Sequence, residues 1–286
     1  MPNGTIRGVV QIVHGIAEYV ERYDDLAKAL TEQGIMVVAE DHMGHGKSIG
    51  GDGIPGYFSG GWFAAVEDTY RLFTETMKEF PGVPYVLFGH SMGSFMTRTL
   101  LCMYPDCGIT AVILSGTGWI SPALVNLGKF ASSLVCEIAG DRNPSRLLHT
   151  LSFGSYNRKI RQPKSKYDWV TRDSSVVAAY AADPLCGYTL ASAGLMRDMM
   201  TGIAYNQNSE HLARMNKDLP VWFIAGEADP VGDYGKGVLH TVEVFRKAGM
   251  EKVSVKLYPQ CRHELHNELN RAEVYEDIIG WIKNYL

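Results

Sequence analysis

The stretch Pro84-Tyr-Val-Leu-Phe-Gly-His-Ser-Met-Gly93 decides the fold, because an apolar run leads directly into the pattern G-x-S-x-G. Residues 84–88 predict a short buried strand, and residues 92–104 continue with the spacing of a helix. A strand, a sharp turn at the serine and a helix are the context that a nucleophile elbow requires. The two glycines of the pattern allow strand and helix to approach closely. We therefore interpret Ser91 as a nucleophile.

A second copy of the pattern, Gly46-Lys-Ser-Ile-Gly50, lacks this context. No strand pattern directly precedes it and no helical pattern follows it, so we predict a loop there. Its Gly-Lys-Ser also matches the end of a phosphate-binding P-loop, but that motif requires a glycine where Asp41 stands. Ser91 is therefore preferred over Ser48, and a nucleotide-binding loop is not expected.

Short apolar runs alternate with longer segments of helical period along the chain. The runs are apolar throughout, as expected for parallel strands buried on both faces. This alternation predicts an α/β fold with a mostly parallel, doubly wound sheet. The predicted strands are Ile6 to Val13, Ile35 to Glu40, Pro84 to Phe88, Ile109 to Ser115, Pro220 to Ala225 and Lys252 to Tyr258, and the predicted helices are Arg22 to Gln33, Trp62 to Glu79, Met92 to Tyr104, Gly235 to Lys247 and Arg271 to Tyr285.

One long interval breaks this alternation. From Gly116 to Pro220 the sequence indicates helices and loops but no further strand. We interpret residues 117–219 as an inserted helical cap, which leaves residues 1–116 and 220–286 as the two parts of the core. We expect the apolar stripes of the cap to pack onto the core or to line a cleft; they comprise Leu124, Leu127, Leu134, Val135 and Ile138, and then Leu195, Met196, Met199 and Met200.

Composition excludes several classes of function. A net charge of -4 and a pI near 6.1 do not suit a polyphosphate backbone, so nucleic acid is not an expected partner. The five cysteines form no C-x-x-C pair, and their odd number favours reduced thiols and a cytoplasmic location. No window reaches the roughly 18 apolar residues that span a bilayer, and no signal-peptide pattern opens the sequence. We expect neither a metal site nor a cofactor.

A serine hydroxyl becomes a good nucleophile only when a base takes its proton and a carboxylate orients that base. In the predicted fold the chain order is serine, acid, histidine. His263 follows the last predicted strand, in a loop where the carboxyl ends of parallel strands gather their sites, so we assign it as the base. His240 lies inside a helical pattern, and His266 is expected to be an ordinary polar residue near a helix start.

The acid is expected just after the strand that ends at Ala225, in Gly226-Glu-Ala-Asp-Pro230. Asp229 is favoured because the proline after it fixes the turn and the glycine before it allows a sharp exit from the strand. Glu227 and Asp233 are the alternatives.

Two backbone N–H groups are expected to stabilise a developing oxyanion. One belongs to Met92, directly after the nucleophile. The other is expected from the loop after the first strand, His14-Gly-Ile-Ala-Glu18, where Ile16 is the best candidate.

At these residues the chain resembles the monoacylglycerol lipase and lysophospholipase branch of the α/β-hydrolases, often grouped as serine-aminopeptidase-like hydrolases. The segments that carry the resemblance are His14 to Tyr23, Asp41-His-Met-Gly-His-Gly-Lys-Ser48, Gly89 to Gly93, Gly226 to Asp233 and Arg262-His-Glu264. The resemblance implies hydrolysis of a lipid-like ester through an acyl-enzyme, with the acyl chain under an apolar cap. Transient contact of that cap with a membrane surface is compatible with such a substrate.

The chain departs from the family at its start. Members usually begin with two antiparallel strands, whereas only a few residues here precede the first predicted strand. Without them, the strand from Ile35 to Glu40 would lie at the sheet edge with unpaired backbone groups. We therefore hypothesise a homodimer or reduced stability.

Several other functions share this fold. An epoxide hydrolase or dehalogenase is excluded, because it needs a carboxylate at position 91. A thioesterase or acyltransferase, and a non-catalytic binding protein, stay open, although an intact triad argues against the last. A prolyl-type aminopeptidase would need acidic cap residues for the free amine, for which Glu137, Asp141, Asp168, Asp173 and Asp183 are available.

Overall fold

Six parallel strands form one central sheet in the computed structural model, which describes residues 1–2, 4–50, 54–187 and 191–286. Four of the strands are buried along their whole length, because helices cover both faces of a parallel sheet. The strands are β1 Gly8–Val13, β2 Ile35–Ala39, β3 Tyr85–His90, β4 Ala111–Ser115, β5 Val221–Gly226 and β6 Val253–Tyr258.

Ten α-helices connect and cover these strands within the described ranges. They are α1 Asp24–Thr31, α2 Gly61–Glu79, α3 Met92–Met103, α4 Pro122–Ala139, α5 Arg146–Phe153, α6 Ser174–Ala182, α7 Ala193–Asn206, α8 Ser209–Arg214, α9 Lys236–Lys247 and α10 Arg271–Ile282. In these parts of the chain, no helix combines the length and the apolar character needed to cross a bilayer.

The strand order is β2-β1-β3-β4-β5-β6. The chain places β2 on one side of β1 and then returns to place β3 on the other side, so β1 pairs in parallel with both. Such a reversal is a topological switch point, and open α/β sheets bind their ligands at the carboxyl ends of the strands there. The residues that directly follow β1 and β3 are His14 and Ser91.

Two apolar layers hold the helices against the sheet. On one face, Phe73 of α2, Met96 of α3 and Ile203 of α7 belong to a single buried cluster. On the other face, Leu26 of α1 and Ile278 of α10 pack together against the strands. These layers position the ends of β1, β3, β5 and β6 that carry the candidate site.

The predicted fold class is confirmed, and most predicted element ends agree with the structure to within two residues. The helix predicted from Arg22 instead begins with the 3-10 turn Val20–Tyr23, and the last predicted helix ends in the 3-10 turn Lys283–Tyr285. Between β4 and β5 the described chain contains α4 to α8 and an isolated antiparallel bridge between Pro144 and Ser192.

The first apolar stripe of the cap interval lies only partly where we predicted. Leu127, Leu134 and Ile138 of α4 are exposed, so packing onto the core is wrong for them. Leu124 lines a cavity and Val135 is partly buried against the core, as predicted. The helix instead packs through its opposite side, where Gly128 and other small residues allow close approach to α7.

The second apolar stripe, on α7, packs against the core as predicted. Leu195 and Met196 of α7 are buried, while Met199 and Met200 are partly buried against the same core cluster. Helix α7 therefore packs the cap interval onto the core.

Candidate active site

Ser91 stands at the turn between β3 and α3. Its backbone has φ 52° and ψ -121°, a conformation that costs a residue with a side chain about 1–3 kcal/mol. Its N–H donates to the carbonyl of Ser115 at the end of β4, and its own carbonyl accepts from the N–H of Ser94 in α3. Neighbouring elements therefore hold the strained turn that carries this serine.

Two glycines make the turn sterically possible. A Cβ on Gly93 would lie 1.9 Å from the carbonyl oxygen of Val13 in β1, and a Cβ on Gly89 would lie 2.5 Å from Oγ1 of Thr97. Neither position has room for a side chain, because α3 packs directly against the strands there. The G-x-S-x-G spacing is thus a packing requirement of this chain.

Asp229 and His263 are brought together from the ends of two neighbouring strands, β5 and β6. The Nδ1–H of His263 donates to Oδ2 of Asp229 at 2.9 Å. The other carboxylate oxygen accepts from the N–H of Val231 at 2.8 Å, so the acid is oriented from both sides. With the proton on Nδ1, the Nε2 atom of the ring carries a lone pair and can accept a proton.

Burial and charge act in opposite directions on His263. Burial is the largest single influence and lowers the pKa of the ring, but the charge and hydrogen bond of Asp229, together with the nearby carboxylates, outweigh it, so the pKa lies above its usual value of 6.5. Glu264 and Glu18 act in the same direction as Asp229. An imidazole of raised basicity suits the removal of a proton from a hydroxyl.

Other rings enclose His263. His90, which precedes Ser91, lies 4.7 Å from it between ring centroids, and Trp169 lies 5.1 Å away. His266 is not the ordinary polar residue we expected, because it is buried and stacked on Tyr23 at 4.2 Å. Burial, reinforced by nearby cationic groups, lowers the pKa of both His90 and His266, so both are neutral beside the base.

A buried carboxylate braces the loop that carries Ile16. Glu18 accepts hydrogen bonds from the N–H of Gly15 at 2.5 Å and from the hydroxyl of Tyr23 at 2.8 Å. A Cβ on Gly15 would lie 3.0 Å from the Cβ of Ser91, so the loop backbone runs directly beside the serine. A backbone N–H in this loop is therefore close to the site of reaction.

An ion network joins this loop to the loop of the base. Arg22 pairs with Glu18 at 3.5 Å and with Glu264, the residue after His263. Burial, assisted by the charge of Glu264, raises the pKa of Glu18 to about 7, although Arg22 opposes this shift. The guanidinium also lies 4.6 Å above the ring of Tyr180, which adds a cation–π contact.

Three buried histidines support the same region. The main-chain N–H of His42 donates to Nε2 of His14 at 3.0 Å, and the Nδ1–H of His14 donates to the carbonyl of Gly15 at 2.8 Å. The ring of His45 lies 5.4 Å from that of His14. Burial lowers the pKa of all three, to about 3 for His42 and about 4 for His45, so the cluster is uncharged at neutral pH.

A segment of the cap interval, residues 168–172, holds the loop that follows β6. The N–H of Glu264 donates to the carbonyl of Val170 at 2.7 Å. Arg172 pairs with the buried carboxylate of Glu268 at 2.8 Å. The loop of the candidate base is therefore attached to the cap interval by main-chain and charged contacts.

Two cavities adjoin these residues. One, of about 340 Å³, is lined by Ser91, Met92 and Ile16 and by mostly apolar side chains of α3, α4 and α7. The other, of about 170 Å³, shares Ile16, Phe153 and Trp169 with it. The serine and both predicted oxyanion residues thus face one apolar space.

The residues that we considered as alternatives to the predicted triad lie in different environments. Ser48 is exposed within the 3-10 turn Gly46–Ser48, and Glu227 and His240 are exposed. Asp233 lines the larger cavity, but the carboxylate that hydrogen-bonds His263 is that of Asp229. In the part of the chain that the structure describes, no group of three side chains could hold a metal ion.

Sequence reasoning missed the contacts that hold the site together. The pairing of Arg22 with Glu264 joins positions about 240 residues apart, and the contact between Arg172 and Glu268 is also distant in sequence. No spacing signals either pair. The only hint was that Glu18 and Arg22 stand in a segment that resembles the family.

Known proteins of similar sequence and structure cover almost the whole chain. A monoacylglycerol lipase of Mycolicibacterium smegmatis is 29% identical over 291 residues, which cover 100% of this chain and 91% of that protein. A monoglyceride lipase of Mus musculus is 27% identical, with 99% and 84% covered. A highly thermostable carboxyl esterase from Bacillus coagulans, solved in complex with glycerol, has a TM-score of 0.92 at 31% identity, with 99% and 92% covered.

A family model described as serine aminopeptidase, S33, matches residues 4–270. The match includes all of β1 to β6 and each of the site residues discussed above. The chain therefore belongs to this family of hydrolases, within the α/β-hydrolase fold.

Proposed function

We propose that the chain hydrolyses carboxylic esters of lipid-like substrates, of the monoacylglycerol or lysophospholipid type. The observation that carries this proposal is the apolar cavity beside Ser91, whose lining includes Phe95, Trp119, Leu124 and Ile203. Burying an acyl chain there is favourable by about 25 cal/mol per Å² of apolar surface removed from water. The similarity to lipases and to a carboxyl esterase supports the same chemistry.

In the acylation step, Oγ of Ser91 attacks the ester carbonyl while Nε2 of His263 takes the hydroxyl proton. Asp229 holds the ring and stabilises the imidazolium. The N–H groups of Ile16 and Met92 bind the oxyanion of the tetrahedral intermediate, and losing one such donor typically costs about 3 kcal/mol. When the C–O bond to the alcohol breaks, His263 returns its proton to the leaving oxygen.

In the deacylation step, water attacks the acyl-enzyme and the same groups act again. His263 takes a proton from the water, the oxyanion forms against the same two N–H groups, and Ser91 leaves with the proton. The products are a carboxylic acid and the free enzyme. All protons are exchanged through His263, so no metal or cofactor takes part in the proposed reaction.

We further propose a division of the chain into a cap and a core. We assign residues 117–219 to a cap over a core made of 1–116 and 220–286. The acyl chain lies in the larger cavity, between α3 of the core and α4 and α7 of the cap interval. We also place the protein in a reducing compartment, such as the cytoplasm, because all five cysteines are unpaired.

The lining of the cavity disfavours an aminopeptidase. Of the five acidic cap residues that could bind a free amine, none lines the cavity of Ser91 within the described residues. Asp173 instead caps α6, and Asp183 accepts a hydrogen bond from Tyr19. A thioesterase or acyltransferase would use the same residues, and only the substrates distinguish it.

A substrate panel tests the proposal. It comprises p-nitrophenyl esters of increasing chain length, monoacylglycerols, lysophospholipids, an acyl thioester and a proline anilide, each assayed with wild type, Ser91→Ala and Ser48→Ala. We expect turnover of esters that Ser91→Ala abolishes and that Ser48→Ala leaves unchanged. Ester turnover that survives in Ser91→Ala would refute the proposal, and turnover of the anilide alone would establish a peptidase.

A further inference from the structure

Arg98 is a fully buried cation in the helix that begins at the nucleophile. It lies in α3, seven residues after Ser91, and is 0% exposed. Burial lowers the pKa of its guanidinium to about 10, so the group is still charged at neutral pH. The reaction proposed above gives this charge no role.

No carboxylate in the described parts of the chain compensates this charge. Arg98 takes part in none of the ion pairs found there, and its Nε and Nη2 atoms have no hydrogen-bond partner. Two aromatic faces offset part of the cost: the guanidinium carbon lies 5.3 Å from the ring centroid of Phe95 and 5.8 Å from that of Phe245. An apolar side chain of similar length would fill this space at a lower free energy. The guanidinium is therefore better explained by what it holds than by a gain in stability.

The group that the guanidinium holds is the loop after β4, residues 116–118. The Nη1–H of Arg98 donates to the carbonyl of Gly118 at 3.0 Å, and the same nitrogen lies 3.5 Å from the hydroxyl oxygen of Thr117, which is also fully buried. A hydrogen bond from a charged donor is stronger than one between neutral groups. Arg98 thus joins the helix of the nucleophile to this loop.

The same loop lies directly against the candidate acid and base. A Cβ on Gly116 would lie 3.0 Å from Cε1 of His263, so the loop backbone runs beside the imidazole. A Cβ on Gly118 would lie 2.6 Å from the carbonyl oxygen of Val231, the residue whose N–H holds Asp229. Neither position has room for a side chain. A shift of this loop would therefore be transmitted to both members of the hydrogen-bonded pair.

We propose that Arg98 is a positioning residue, which keeps the loop 116–118 packed against His263 and the turn of Asp229. It lines neither cavity and acts only through the carbonyl of Gly118. One buried side chain then keeps the elements of nucleophile, acid and base in register. This role rests on the reaction proposed above, in which these residues form the triad.

The variant Arg98→Met tests the role, because methionine is apolar and of similar length but can neither donate nor carry charge. We expect kcat for a short p-nitrophenyl ester to fall about 10- to 100-fold, with KM changed by less than about twofold. The thermal midpoint should not fall, because a costly buried charge is removed. A folded variant whose kcat is within about twofold of wild type would overturn the proposal.

Arg98→Lys is the conservative variant. Its ammonium group keeps the charge and can donate to one carbonyl, so we expect kcat to return to within about threefold of wild type. A lysine variant as slow as Arg98→Met would show that the charged donor is not the cause and would overturn the proposal. Leu100→Met changes a fully buried position of the same helix and is the matched control, which should keep kcat within about twofold.

The comparison also holds if Arg98→Met does not fold. Arg98→Gln then takes its place, since glutamine fills part of the space and keeps only a shorter, neutral donor. We expect its kcat to lie at least about fivefold below that of Arg98→Lys. Equal kcat in the glutamine and lysine variants would refute a role for the charged donor.

The proton between His263 and Asp229 provides a readout that needs no turnover. Both side chains are buried, so this Nδ1 proton is shielded from water and should give a low-field ¹H resonance in wild type. We expect faster exchange with water to remove the resonance in Arg98→Met and not in Leu100→Met. An unchanged resonance in Arg98→Met would overturn the proposal. A wild type that shows the resonance but hydrolyses no ester would contradict the proposed reaction, and the resonance of the variants would still decide whether Arg98 holds the pair.

Discussion

The imidazole of His263 and the carboxylate of Asp229 are 2.9 Å apart, and their side chains are only 4% and 0% exposed. Water therefore competes little for either partner, and the hydrogen bond orients the ring and helps to raise its pKa. The acid is itself held by the N–H of Val231.

Replacing the carboxylate by an amide tests this pair. Asp229→Asn preserves the size of the side chain but favours the wrong tautomer of His263, so we expect kcat to fall about 10⁴-fold with little change in KM. The measurement is the steady-state hydrolysis of a soluble p-nitrophenyl ester. Glu227→Gln, an exposed neighbour, should leave kcat within about twofold. A loss of less than about tenfold in Asp229→Asn would reject Asp229 as the acid.

The pH dependence of kcat/KM should report the raised pKa of His263. Below this pKa the ring is protonated and cannot accept the proton of Ser91, so activity falls on the acid side. Because Asp229 raises the pKa, the midpoint is expected above 6.5. Rates measured between about pH 5 and 9 determine the midpoint. A midpoint below 6.5 would contradict the assignment.

The buried cluster of His14, His42 and His45 should make the fold sensitive to acid. Burial holds these pKa values below that of an unfolded histidine, so the unfolded chain binds more protons below about pH 6.5 and stability falls as pH falls. Each histidine contributes up to about 1.4 kcal/mol per pH unit.

The variant His42→Gln isolates one of these contributions. Its free energy of unfolding in urea should depend less steeply on pH, by about 1.4 kcal/mol per unit between about pH 6 and 4. Because other groups titrate in the same range, the comparison is between the slopes of variant and wild type. Identical slopes would show that His42 is not held neutral.

The elbow glycine should be intolerant of any side chain. Gly93→Ala places a Cβ 1.9 Å from the carbonyl of Val13, so we expect a loss of at least about 3 kcal/mol in unfolding free energy or failure to fold. Gly280→Ala, in α10, is the control, because its Cβ meets no atom within 4 Å. That variant should gain about 0.5–1 kcal/mol. Equal stability of the two variants would refute the argument.

The edge strand β2 bears on the oligomeric state. It has β1 on one side, and no strand in the described ranges pairs with its other side. We expect a homodimer in light scattering, with Ala39→Lys, at the exposed end of this strand, shifting it to monomer because edge charges block strand pairing. A monomeric wild type would reject the dimer. A dimer that Ala39→Lys leaves intact would place the interface elsewhere.

The core of the fold could be predicted because each signal was local. The run into Ser91 carries a strand, a turn and a helix in consecutive residues, and its glycines are required by packing at Val13 and Thr97. The order of the predicted strands then located the loops of Asp229 and His263. The hydrogen bond between these two residues is a finding of the structure.

The surface of residues 117–219 could not be predicted in the same way. An apolar stripe at helical spacing has the same pattern whether it faces the core or solvent, so the exposure of Leu127 and Ile138 was missed. The net charge of -4 likewise concealed the cations of Arg158 to Lys166, because acidic residues elsewhere cancel them in the sum. The exposure of the apolar stripe appears only once the residues are placed in space, whereas the five cations in nine consecutive residues can be read from the sequence.

The attachment of residues 168–172 to the loop of His263 matters for enzyme engineering. Because function in this fold depends on the site, replacing residues 117–219 by the interval of another hydrolase is one way to seek a different selectivity. Here Val170 and Arg172 contact Glu264 and Glu268, so a foreign interval would lack the partners that hold the loop of the candidate base. A chimera that replaces residues 117–219 should therefore also replace the loop after β6, so that both sides of these contacts come from the same protein.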